Sequence, residues 1–149
     1  MTAITNSSQL VTFVTIRDII ITNSVIAAKF RKEQFHRFEP KHKSQSFTGY
    51  PYMIISIPIT EDVDSPLGDL VANREFTIDI IMRMEYEAKD NMETYASQVV
   101  KELDNSTSTF LDAGYYPEKI TFDGSDTVTI DQKELVECKF TLILSGEVS

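Results

Sequence analysis

The chain has 149 residues, 42% hydrophobic and 25% charged, with a net charge of -9. Those values fit one globular domain, because a chain of about 150 residues buries roughly two-thirds of its unfolded surface. Five glycines, five prolines and no internal period exclude a collagen-like polymer, a low-complexity chain and a repeat array. Apolar runs such as Ile19–Ile21 and Met53–Ile55 fall far short of the roughly 18 residues that a membrane-spanning helix needs. The first residues carry no positive n-region, and Arg17-Asp18 interrupts the next apolar stretch, so no secretion signal is expected and the mature chain is expected to begin near Met1. The one cysteine, Cys138, has no partner for an internal disulfide, which suits a reducing compartment. The sequons at Asn6 and Asn105 then read as chance matches.

Charge is unevenly placed. Between Lys29 and Lys43 stand Lys29, Arg31, Lys32, Arg37, Lys41 and Lys43 against Glu33 and Glu39, a local net of +4. From Glu61 onward, 7 basic residues face 20 acidic ones, a net of -13. Such a molecule repels its copies in most orientations and attracts them when positive meets negative.

In chain order, Ser7 or Ser8 caps a helix over about 8–21 whose apolar stripe is Leu10, Phe13, Val14 and Ile21, interrupted by Arg17. Asn23-Ser24 ends it, and 25–30 continues as a short helix or extended arm. Residues 34–38 read as a short edge strand, and 39–49 as a mobile polar loop. Tyr50–Pro58 is a strand buried on both faces in its middle, with prolines where a missing donor is tolerated. A loop over 60–72 leads to a long strand over 74–86, in which Phe76, Ile78, Ile80, Met82, Met84 and Tyr86 share one face. The two strands form a hairpin with an extended tip.

Asp90 caps a helix to about Asp112 whose apolar face includes Met92, Tyr95, Val99 and Leu103, with a weak point at 105–107 and a stop at Gly114. Short strands at 120–122 and 127–130 flank Asp123-Gly124 as a turn, and a strand over 134–144 closes the chain. The expected class is α+β: a mainly antiparallel sheet with a long hairpin, one face packed under an N-terminal and a central helix.

Few residues suggest chemistry. His36, Glu39 and His42 are metal-ligand types, but they lie in a loop, and a zinc site needs three or four convergent ligands. Glu61, Asp62, Asp64 and Asp69 lack the alternation and closing Glu of a calcium loop, and Pro66 interrupts them, so they read as a solvated acidic tip. No phosphate loop, dinucleotide fingerprint or nucleophile elbow occurs. Cys138 lies on an apolar strand face as packing. The carboxylates Asp79, Glu85 and Glu87 are the best basis for an enzyme, and no nucleophile or oxyanion donor accompanies them. The basic 29–43 segment, interleaved with Phe30, Phe35 and Phe38, suits nucleic acid by composition, yet the overall charge opposes phosphate, so a protein partner fits it better.

The arrangement resembles the tail terminator (tail completion) proteins of long-tailed bacteriophages. The resemblance is carried by the N-terminal helix ending in a basic strand, the polar loop, Tyr50-Pro51-Tyr52-Met53-Ile54-Ile55 opening a central strand, the hairpin to 74–86, the helix from Asp90 and the closing strand. It implies a non-enzymatic virion protein of the neck, without cofactor or metal. Such a protein forms a ring, usually a hexamer, that caps the tail tube, ends its growth and meets the head connector. DNA would be only a passing, non-specific contact, no membrane would be involved, and assembly would take place in the host cytoplasm. Head-to-tail rings need two different patches per copy. The expected pair is Lys29, Arg31, Lys32, Arg37, Lys41 and Lys43 against Glu61, Asp62, Asp64 and Asp69. The alternatives are another connector or adaptor of the neck, or a monomeric protein-binding module.

Overall fold

Helix α1 (Asn6–Ile21) opens the fold. The computed structural model describes residues 6–43, 45, 47–57 and 72–148, and the acidic tip around Glu61 lies outside them. The buried stripe of α1 is Phe13, Ile16, Ile19 and Ile20, whereas Leu10 of the expected stripe is half exposed. This helix is apolar on several sides, so periodicity alone could not choose its inward face.

Asn23 then turns the chain. Its Oδ1 accepts from the backbone N–H groups of Val25 and Ile26 and caps the short α2 (Ser24–Ala27). Its Nδ2 donates to Gln98 at 2.7 Å and Glu102 at 3.0 Å, which fastens the α1–α2 elbow to the central helix α3 (Met92–Asp104).

Among the described residues, five strands form one sheet in the order β1-β2-β3-β5-β4. They are β1 (Phe35–His36), β2 (Tyr52–Ser56), β3 (Ala72–Glu85), β4 (Tyr116–Ile130) and β5 (Lys133–Val148). The β2–β3 hairpin, the edge position of β1 and the long closing strand are as expected, and the class is α+β. The sheet is mixed, because β1 runs parallel to β2 while every other pair is antiparallel.

Three elements differ from expectation. The helix predicted from Asp90 to Asp112 is a 3-10 segment at Tyr86–Asn91, then α3, then α4 (Thr107–Asp112). Asp90 therefore lies before the helix it was expected to cap, and Tyr86 has already left the strand. The two short strands around Asp123-Gly124 are one strand, β4, in which Gly124 at φ +111° sits at a bulge. The tight turn follows at Asp131 and Gln132, both with positive φ. Positive φ is needed in both places, but only the first carries glycine.

The inward face of the sheet presents Met53 and Ile55, then Phe76 to Met84, then Val136, Cys138, Phe140, Leu142 and Leu144. These join Ile16, Ile20, Tyr95, Val99 and Phe110 of the helices in one buried cluster. Cys138 is fully buried there, and burial pushes its thiol up to about 12. Among the described residues, no helix is long and apolar enough to cross a membrane.

Candidate functional site

β2 is buried on both faces in its middle, as expected, because the outward face of the sheet is covered near β1. Of the stretch 39–49, read from sequence as a mobile loop, Glu39, His42 and Phe47 fold back over side chains of β2 and β3. His42 stacks on Phe47 with centroids 4.6 Å apart and meets Tyr52 edge-on at 5.3 Å. Its Nδ1 is 2.8 Å from Tyr50 Oη, and its Nε2 is 2.8 Å from Tyr52 Oη. His36 Nε2 lies 3.2 Å from Thr48 Oγ1, and burial lowers the His36 pKa, opposed by Glu39 and aided by His42.

Beneath this cover lies Arg83, only 8% exposed, opposite Tyr52 on one neighbouring strand and Glu137 on the other. Its Nε donates to Glu137 Oε2 at 2.7 Å, and its Nη1 donates to Glu39 and, at 3.1 Å, to Tyr52 Oη. Tyr52 thus accepts from Arg83 and has its own proton to give to His42 Nε2. In the neutral imidazole, Nδ1–H then donates to Tyr50. Glu137 is 5% exposed and also lies 3.5 Å from Lys139. Burial, partly offset by Arg83, pushes the Tyr52 hydroxyl up to about 12.

Every buried side-chain polar atom among the described residues has a partner. Through Glu39 on Arg83 and His42 on Tyr52, the cluster is a clamp that holds the basic segment against the sheet. Sequence reasoning missed Arg83, Tyr52 and Glu137. The signal available was an Arg and a Glu, each on the outward parity of its strand; their pairing depends on register.

The predicted basic patch is on the surface. Lys29, Arg31, Lys32, Lys41 and Lys43 are exposed, and Arg37 is half-buried with its guanidinium 5.5 Å from the Phe38 ring. The clamp and the short β1 carry this patch at one edge of the sheet. Glu61, Asp62, Asp64 and Asp69, the expected counterpart of this patch, lie outside the described residues.

At the opposite edge stand α3 and β4, which together carry six carboxylates and two lysines; Glu102 accepts from Asn23 and Thr22 at the α1–α2 elbow, and Glu118 and Asp123 accept from Ser145 and Thr141 of β5. His36, Glu39 and His42 do not converge as ligands, and no group of three His, Cys, Asp or Glu side chains suited to a metal occurs among the described residues. Of the carboxylates weighed for catalysis, Asp79 and Glu87 are exposed, and Glu85 is 3.0 Å from Lys133. No protein-family model matches the chain, and no curated protein matches it.

Proposed function

We propose that the chain is a structural protein of a phage neck: a ring subunit that caps the tail tube, ends its growth and joins it to the head connector, without catalysis. The observation that carries this reading is the contrast between the sheet edges, with a +4 segment clamped at one edge and an acid-rich helix and strand, six carboxylates against two lysines, at the other. Opposite patches on opposite edges are what serial, head-to-tail association uses, and closure of that series gives a ring. An acidic remainder also lets DNA pass without adhering.

The test joins gene context to assembly. Genes for a tail-tube protein and a head connector should flank this one. Adding the purified chain to that tube protein as it polymerises should give short tubes with a ring at one end. Unchanged tube lengths, together with a monomer in every mixture, would replace the ring with a monomeric binding module.

A further inference from the structure

Phe38 is 74% exposed, two residues beyond edge strand β1. A single exposed phenylalanine carries nothing by itself. This one sits within the basic segment, with Arg37 against its ring and Lys41 three residues on. At the other edge, between α3 and β4, lies a surface groove of about 570 Å³ with an apolar floor of Ala96, Val100 and the half-exposed Phe122. That size suits a small ligand or a few side chains. Its rim holds Glu93 and Asp104 against Lys101.

We propose that Phe38 of one copy docks in the α3–β4 groove of the next, with its basic flank against the acidic rim. Two observations choose a second copy as the occupant. The first is charge complementarity, an apolar knob flanked by Arg37 and Lys41 in a +4 segment and an apolar groove whose rim sets Glu93 and Asp104 against Lys101. The second is topology: β1 and β4 are the two edges of a five-stranded sheet, so knob and groove are separated by four strand spacings, about 19 Å. A chain therefore cannot fill its own groove. Each copy gives one knob and receives one, which is a heterologous contact able to propagate. An aromatic anchor in an apolar pocket inside a charged rim is also where interface energy concentrates. This inference rests on the ring reading for there being copies to join in series, and it supplies the contact that such a ring would use.

The experiment is complementation with the full chain, followed by sedimentation velocity at raised concentration and low salt. Phe38→Ser removes the knob and keeps the groove. Ser97→Arg, at an exposed rim position, blocks the groove and keeps the knob, and is preferred to changing Phe122 because it leaves the floor intact. Circular dichroism and melting temperature check that both variants are folded. Each alone should self-associate at least about tenfold more weakly than wild type. A 1:1 mixture should give a dimer and nothing larger, since one intact knob then meets one intact groove. A mixture that stays monomeric, either variant assembling like wild type, or a wild-type chain monomeric at every concentration overturns the docking. If wild type and both variants cap tubes equally, the docking falls and the ring reading stands. If complementation succeeds but wild type forms open chains that never cap tubes, the docking stands and the ring reading falls.

Discussion

Burying a guanidinium costs several kcal/mol unless its donors find acceptors, and Arg83 meets that condition through Glu137, Glu39 and Tyr52. Removing Arg83 alone leaves Glu137 buried without its main partner, so Arg83→Leu should destabilise the chain by about 3–5 kcal/mol in urea denaturation. The double change Arg83→Met with Glu137→Leu should recover much of that loss, because neither charge then stays buried; if it were as unstable as the single variant, the clamp would depend on the ion pair itself. The same cluster sets an alkaline limit. Tyr52 holds its proton to about pH 12 when folded and loses it near 10 when unfolded. The unfolded chain therefore binds fewer protons between those values, and stability falls as pH rises through them, by up to about 2–3 kcal/mol. Cys138, raised from 9.0 to about 12, acts in the same direction. Tyr52→Phe should flatten part of the decline, read as the slope of stability against pH. On the acid side, His36 has the opposite sign: its folded pKa is lowered, so the unfolded chain binds the proton first and stability falls below about pH 6.5.

At the scale of elements, what could be read depended on whether a strand or helix buries one face. The alternation of Phe76 to Met84 and of Val136 to Leu144 is visible because those side chains enter the core while their neighbours do not. Ile80 lies fully buried in that layer, and Ile80→Ala should cost about 2–5 kcal/mol by thermal or urea unfolding; a change under about 1 kcal/mol would mean the layer can collapse around the gap. β4 was split in the reading because Asp123-Gly124 has the composition of a turn. The glycine spends its positive φ on a bulge within a strand that is largely exposed on both faces and so leaves no periodic mark. The true turn, Asp131-Gln132, went unseen because both of its positive-φ residues carry side chains. That makes it improvable: Gln132→Gly should raise stability by up to about 1 kcal/mol, since a left-handed conformation costs a non-glycine residue about 1–2 kcal/mol and glycine's greater unfolded freedom returns part of it. The clamp was invisible for another reason. Tyr52, Arg83 and Glu137 come from three strands, and only their register sets them side by side.

For the whole molecule, the governing feature is that a chain of net charge -9 concentrates six of its 14 basic residues in one short segment and fastens that segment to the sheet. The clamp is internal, so the exposed Lys29, Lys32, Lys41 and Lys43 can meet an external contact without unfolding anything. If copies join through this patch, reversing Arg31, Lys32 and Arg37 to Glu should abolish assembly while the monomer keeps its melting temperature within a few degrees. One reversal should have little effect, because exposed pairs contribute only about 0–1 kcal/mol each. Three neighbouring reversals place like charges across every contact of a closed series, and closely spaced charges do not act independently. Raising salt to about 1 M should weaken wild-type assembly in parallel, as the screening length falls to about 3 Å. Sedimentation velocity across a salt series reads both effects. A triple variant that still forms rings would remove the patch from the subunit contact and leave its charges to face DNA or solvent.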